Sequence, residues 1–453
     1  MWHMSGSDDR GDGPVPISEE AVLEVSGMDS VPEMGIIEQV WETDPIPKGE
    51  LRDSVFDAVE QLEFDGVPDG GEVAVGAGSR GIANLPTIVS AVVDALDDLG
   101  YEPFVFPAMG SHGGATGDGQ REMLEALGIT EARLGCEIRA TMDTVVIGKT
   151  PERDVEVHAD ANAAAADAII PVNRVKPHTD FQGDVESGLS KMLVIGMGKQ
   201  RGAKTAHDWA ADWSFREMLP EITRLHVENL PIAGGIAIVE DEHDDTAFIE
   251  GVPPSGFLDR EAELLELAYE HLPTIPFDEV DVLVVDRMGK DISGAGMDTN
   301  VIGRIVYGFE PDPPKPDITR IFVRGLTPAS HGNGSGLGSA DFVHADLFEE
   351  LNWGDTLVNV LTASTPRAAR IPPAVETDRG GLIASLSTIG VGALEAPRVV
   401  RIRDTMRLGR VAVSASLIEE ARDRDDLRVV EEPAPVAFED GQFVDDVLES
   451  GDR

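Results

Sequence analysis

From Glu72 onward, short apolar runs alternate with stretches whose apolar positions recur at helical spacing. EVAVGAGS (72–79) reads as a buried strand. LPTIVSAVVDALDDLG (85–100) reads as a helix, with Pro86 near its start and Gly100 closing it. EPFVFPAM (102–109) predicts a second strand and DGQREMLEALG (118–128) a second helix. AAAADAIIPVNRV (163–175) gives a helix end followed by another buried strand. Strands alternating with helices in this way predict a mostly parallel sheet.

The pattern then restarts. DREAELLELAYEHL (259–272) predicts a long helix and PTIPFDEVD (273–281) a linker. VDVLVVDRMG (280–289) opens a second unit. RIFVRGL (320–326) continues it as a strand, HADLFEEL (344–351) as a helix, and RVVRIRDT (398–405) and VAVSASLIEEA (411–421) complete it. A chain of 453 residues also exceeds the roughly 250–300 residues at which single cores stop growing. The expected fold class is therefore α/β, with two α/β domains of mostly parallel sheet and an active site in the cleft between them. The expected divisions are a disordered polar N-terminus (1–20), an N-terminal α/β domain (21–275), a C-terminal α/β domain (276–435) and an acidic tail (436–453).

Composition narrows the function classes. Asp and Glu total 84 against 36 Lys and Arg, a net charge of −48. Nucleic acid is not an expected partner, because phosphate neutralisation needs a basic patch, and an anionic membrane surface would repel the chain. The acid is spread along the whole length. With few lysines and many small residues, it reads as a halophilic surface, where salt screens self-repulsion. Cys136 is the single cysteine, so neither an intramolecular disulfide nor a zinc–cysteine cluster is available. No basic region followed by an apolar run opens the chain, and no apolar stretch approaches the roughly 20 residues of a membrane span. A cytoplasmic location is expected.

Candidate chemistry gathers in three loops after strands. GAGSRGIANLP (76–86) places Arg80 at a strand's carboxyl end, where open α/β sheets bind ligands; the bland reading is a surface arginine on a turn. AMGSHGGATGDG (108–119) sets His112 between glycines, poised as a general acid or base or, more blandly, as a hydrogen-bonded turn histidine. NRVKPHTDFQGDVESGLSKMLVIGMGKQRGAKTAH (173–207) contains His178, Lys191 and His207. Lys191 begins an apolar run, a setting that disfavours its charged form and suits covalent chemistry; alternatively its stem packs while its head reaches water. His207 is a metal ligand or simply a histidine near a helix C-terminus. His331, in ASHGNGSGLGS, can line a site from the second domain. His158, His226, His243, His271 and His344 occupy ordinary contexts and read as structural or solvated.

Taken in order, Arg80 before Pro86, His112 in SHGGAT, Pro177–His178, Lys191 and then His207 resemble the nickel-pincer cofactor-dependent lactate racemase family, of the DUF2088 type. The resemblance runs through about 72–209 and more weakly beyond. It implies an isomerase, a 2-hydroxy-acid racemase or epimerase working by reversible hydride transfer. It implies a cofactor, the nickel-bound pyridinium-3-thioamide-5-thiocarboxylic acid mononucleotide, tethered to Lys191 with His207 as nickel ligand. It makes His112 and His178 an acid/base pair on opposite faces of the substrate carbon and Arg80 the clamp on its carboxylate. Ser79, Gly110 and Gly113 become loop contacts to the cofactor, and Lys290, in MGKDISGAGMDTNVIGR (288–304), a second carboxylate contact with Asp298 and Asn300 nearby. The implied partners are a small 2-hydroxy acid and the enzymes that build the cofactor; a homo-oligomer is allowed. The chain departs from the family at Ala77, where an acidic residue is common, and in a longer His178–Lys191 interval, which leaves room for a larger or more polar hydroxy acid. Two other classes use the same residues: a divalent-metal hydrolase built on His112, His178 and His207, and a non-catalytic anion- or cofactor-binding protein.

Overall fold

The structure, a computed structural model, describes residues 15–78, 81–307, 310–444 and 448. The chain divides into two compact units, Glu42–Leu272 and Met1–Trp41 with Pro273–Arg453. Both are α/β. Among the described residues no helix is long and apolar enough to cross a membrane.

In Glu42–Leu272 a five-stranded sheet runs in the order Glu102–Pro107, Glu72–Ala77, Ala168–Arg174, Gly235–Glu240, Thr246–Val252. The first four strands are parallel and the last is antiparallel to its neighbour. Alternate residues feed two cores, as a pleated strand requires. Val73, Val75, Ile170, Val172, Ile236 and Ile238 share one core with residues of the helices Leu51–Glu60 and Leu85–Asp98. Ala74, Phe104, Phe106, Ile169, Ala237 and Val239 share the other with Leu189, Met192, Leu193 and the helix Phe257–Glu270. Burial on both faces explains why these strands read as continuous apolar runs rather than as an alternation.

Strand order locates the crevice. From Glu72–Ala77 the chain crosses to one side, to Glu102–Pro107; from Ala168–Arg174 it crosses to the other, to Gly235–Glu240. The two central strands therefore send their loops in opposite directions, which opens a gap beyond their carboxyl ends, after Ala77 and Arg174.

The other unit has an eight-stranded mixed sheet in the order Ala374–Val375, Phe342–His344, Asp317–Val323, Glu279–Val285, Val399–Ile402, Arg410–Ser414, Met34–Gln39, Leu427–Ala434. The first five strands are parallel and the remaining pairings antiparallel.

Three expectations of organisation are corrected here. Residues 21–41 do not join the N-terminal domain: Met34–Gln39 inserts between Arg410–Ser414 and Leu427–Ala434, with Ile36 and Ile37 buried. Its backbone groups need partners on both sides, and those partners lie hundreds of positions away, where no local pattern reveals them. Residues 15–20 are ordered: Ile17 N–H donates to Ala374 O at 2.8 Å and Ser18 caps the helix Glu19–Ser26. The stretch expected as an acidic tail carries a two-stranded hairpin, Phe438–Glu439 with Gln442–Phe443. Phe443 packs under the Arg401 and Arg324 guanidinium groups, an attraction local charge counting does not register. Within HADLFEEL, His344 ends the strand Phe342–His344 and only Leu347–Glu350 turns helical.

The seat of helix Leu51–Glu60 on the sheet is testable. A Cβ on Gly251 would lie 1.9 Å from the Ala58 carbonyl oxygen. Gly251→Ala should push the helix outward and cost about 1–3 kcal/mol or more, as overpacking does. An unchanged urea midpoint would show that the helix is not seated there.

Candidate active site

A cavity of about 430 Å³ opens at the gap beyond Ala77 and Arg174, within the usual size range for small-molecule sites. Its lining residues come from the loops after three strands, from the helical segment that follows the third, and from the start of the next helix, Phe215–Asn229.

That segment presents Lys191. The chain is helical almost without interruption from Leu189 to Trp209: a first turn Leu189–Lys191, a π-helical turn Met192–Met197, then Lys199–Trp209. Leu189, Met192, Leu193 and Met197 hold it in the core. Its first turn is met by Glu261, a fully buried carboxylate that accepts from Ser190 N–H at 2.9 Å and Ser190 Oγ at 2.5 Å. Gly188 makes room, since a Cβ there would lie 2.1 Å from Glu261 Oε1. Burial pushes the Glu261 carboxyl up to about 7, against its bonds to Ser190. Lys191 Nζ lies 2.6 Å from His178 Nε2. Burial draws the Lys191 pKa down to about 8, while Asp180 and Glu186 pull the other way.

His178 is held from all sides. Its backbone N–H donates to Glu186 Oε2 at 2.6 Å, and Glu186 also accepts from Gly183 N–H and Tyr269 Oη. Burial raises the Glu186 carboxyl to about 7. The His178 ring accepts at Nδ1 from the Asp180 N–H at 3.0 Å and stacks on Phe181, with centroids 4.7 Å apart. Phe181 stacks on Phe215, and Phe215 meets the His207 ring edge-on. Burial, then the charges of Lys191 and Lys176, hold the His178 pKa well below the ordinary imidazole value.

His112 is exposed on its loop and lines the cavity. The loop is fastened from beneath by Lys199, which is fully buried, ion-paired to Asp160 Oδ2 at 3.0 Å and bonded to Pro107 O and Gln120 Oε1. Gln120 Nε2 in turn donates to Gly110 O at 2.9 Å. His207, in the last turn of Lys199–Trp209, lines the same cavity. Its ring is open to solvent on one side, yet the chain around it lowers its pKa, with Asp180 opposing.

The structure thus brings His112, His178, Lys191 and His207 to one cavity. Ser79 and Arg80 lie outside the described residues. Gly110 and Gly113 were expected as cofactor contacts, but neither lines the cavity. Both have positive φ (59° and 65°), and a Cβ on Gly113 would lie 2.5 Å from the Gly119 backbone, so these glycines serve the loop's own turn. Lys290 is not among the lining residues; it belongs to the other unit, where its ammonium donates to Gly294 O at 2.5 Å. His331, also in that unit, ends a short 3₁₀ turn in the left-handed region. His226 is fully buried against Ile222 O, its pKa pushed down to about 4 by burial. His158 and His344 are buried, and His271 meets Glu242 at 3.3 Å.

Sequence reasoning missed Asn173, Asp180, Phe181 and Phe215, which line the cavity, and the supporting Glu186 and Glu261. Only Glu261 carried a clear signal. It occupies the buried stripe Phe257, Glu261, Leu264, Leu265, Ala268, an acid where the helical period calls for an apolar side chain. Among the described residues no group of three or more His, Cys, Asp or Glu is placed to hold a metal ion.

Comparison with known proteins gives two findings. Residues 76–249 match the family model described as a domain of unknown function, DUF362, a different description from the DUF2088 type expected. The lactate racemase apoprotein from Thermoanaerobacterium thermosaccharolyticum is a distant structural likeness, with a TM-score of 0.44 and 14% identity over 82% of this chain and 88% of that one. None of the curated proteins matches the sequence.

The buried carboxyls set a pH dependence. Glu186 and Glu261 are both raised from 4.5 to about 7, so the folded state keeps protons that the unfolded chain has released. Stability should therefore fall as pH rises from about 4.5 to 7, with the full cost present above 7. Glu261→Gln should flatten the fall in urea midpoint between about pH 5 and 8, by an amount on the order of 3 kcal/mol at most. Parallel curves for the variant and the parent would show that Glu261 ionises in the fold without penalty.

Proposed function

We propose that the protein is a 2-hydroxy-acid racemase or epimerase whose Lys191 carries a nickel-pincer nucleotide. The observation that carries this reading is a buried lysine amine, its pKa drawn down to about 8, in a cavity shared with His112, His178 and His207. An amine of that kind is a competent site for covalent attachment near neutral pH.

The residues present fit such a group. Lys191 supplies the attachment point, and His207, exposed on one side in the same cavity, is available as a ligand to nickel. A pincer nucleotide brings its own carbon and sulfur donors, so one histidine suffices. A divalent-metal hydrolase needs a cluster of protein ligands, and the described residues offer no such cluster, so that alternative draws no support from the geometry. When bound, the tethered group would supply a hydride acceptor for the carbon that bears the substrate hydroxyl.

The chain's own side chains do the rest. His112, on an exposed loop at the cavity, moves the hydroxyl proton. Lys176 lines the same cavity and adds positive charge for a carboxylate. Phe181, Phe215, Met192 and Leu219 give it an apolar wall that strengthens these interactions by excluding water. The partners that follow are a small 2-hydroxy acid and the enzymes that build and attach the nucleotide.

The test is expression alongside cofactor-making enzymes, followed by intact-protein mass and nickel analysis. One adduct on the Lys191 peptide and one nickel per chain are expected. Lys191→Ala should lose adduct, metal and racemisation while keeping its circular dichroism spectrum. His112→Ala should keep the adduct and lose about 10²–10⁴ in turnover. A fully active Lys191→Ala variant, or an active parent without adduct, would overturn the proposal.

A further inference from the structure

Both ring nitrogens of His178 are engaged by the protein itself, and the direction of each bond can be worked out. The Asp180 backbone N–H points at Nδ1 from 3.0 Å. A backbone amide can only donate, so Nδ1 must be the acceptor and bear no proton. A neutral imidazole then carries its proton on Nε2, the atom 2.6 Å from Lys191 Nζ. An ammonium has no lone pair with which to accept that proton, whereas a free amine has one. The pair is consistent only as Nε2–H donating to a neutral Nζ.

We infer that His178 is a positioning residue for Lys191, holding it as a free amine until acylation of Nζ releases the imidazole. This rests on the reading of Lys191 as the attachment point. It reassigns the first task of a histidine expected to work only on substrate.

The environment favours this state. Asp180 and Glu186 act through space to favour the ammonium, and burial opposes them more strongly. On the imidazole side, burial comes first and the charge of Lys176 adds to it, both against a second ring proton. Two bases of low proton affinity in contact share the single proton that the Asp180 N–H directs to Nε2.

Release follows from the chemistry of the product. In acylation the Nζ lone pair forms a bond to the acyl carbon. The leaving group departs with the electron pair of its own bond, and the surplus amine proton passes to it or to buffer. The nitrogen left behind has one N–H and no basic lone pair, so it donates but no longer accepts. Nε2–H would then face a second donor. The proton cannot move to Nδ1 while the Asp180 N–H points there, so the Nε2–H···Nζ bond is lost and the imidazole is released from the lysine nitrogen into the cavity. An empty site thus keeps His178 on the lysine, and a loaded site frees it for proton transfer.

Acetic anhydride serves as the acyl probe. In the cofactor-free protein above pH 8, where the free amine predominates, nitrogen-15 spectra of labelled histidine should show His178, identified by its loss in His178→Gln, as the Nε2–H tautomer. Acetylation of Lys191, verified by peptide mass, should shift that signal and abolish its hydrogen bond. Competitive acetylation across pH should give Lys191 a midpoint near 8 in the parent. The midpoint should rise at least one unit in His178→Leu, where Asp180 and Glu186 act without the donor, and stay near 8 in His178→Gln, whose amide restores an N–H. An Nδ1–H or doubly protonated His178 above pH 8 in the free protein would overturn the inference, as would a His178→Leu midpoint equal to the parent's. If the variants fail to fold, the tautomer in the parent decides. A Lys191 that behaves as expected but never carries an adduct in the cell would sink the racemase reading and leave this one standing.

Discussion

Lys199 and Asp160 are both wholly shielded from solvent, an arrangement that is costly in itself, because two ions must leave water before they can attract one another. The structure offsets that cost by pairing the charges and by giving the ammonium two further oxygen acceptors. Lys199 donates to the Pro107 carbonyl and Gln120 Oε1, and its charge is matched by Asp160 Oδ2 at 3.0 Å. Asp160 uses its other oxygen to cap the short helix Ala161–Ala165. One ion pair thereby joins the strand Glu156–Asp160, the end of the strand Glu102–Pro107, the helix Gly117–Ala126 and the segment that carries Lys191. Lys199 accepts a left-handed backbone (φ 55°) at the junction, a conformation ordinary residues avoid unless their surroundings fix them. The cavity's walls owe their mutual placement to this junction.

The same segment holds two buried lysines that are treated in opposite ways. Lys199 has a carboxylate in contact and is spent on structure. Lys191 has an imidazole in contact, and the nearby Asp180 and Glu186 act on it only through space. A lysine in contact with a carboxylate is an ion with a fixed partner, while a lysine beside a neutral imidazole is a nucleophile with a lone pair to spare. The choice of neighbour, rather than the depth of burial, separates scaffold from chemistry.

How far the sequence reveals this depends on the range of the interaction. The first strands and helices of the cavity-bearing unit follow from local periodicity. His112, His178, Lys191 and His207 could be placed together because each follows a strand whose carboxyl end faces the switch point. The strand Met34–Gln39 could not be assigned to its sheet, because its partners begin at Arg410 and Leu427. Lys199, inside the run MGKQRGAK, looks like any solvated cation until Asp160 is brought beneath it. Glu186 and Asp180 sit in a loop with no period at all. Gly110 and Gly113 were read as openings for a ligand, and the structure uses them to turn a corner.

The π-helical turn at Met192–Met197 makes chain length a variable of the site. Relative to an α-helix it accommodates one surplus residue, and such turns persist where that surplus is used. Removing any one residue from MLVIGM would allow that turn to close as ordinary α-helix up to the left-handed Lys199, with its own hydrogen bonds intact. Yet each residue of an α-helix advances the direction by roughly 100° and 1.5 Å, so the two ends of the segment would be re-aimed against each other. Lys191 and His207 would then no longer address the same space, although neither had been altered. In this segment the count of residues between two side chains encodes their meeting as much as their identities do, and an insertion or deletion, not a substitution, is the change to which the site is most exposed.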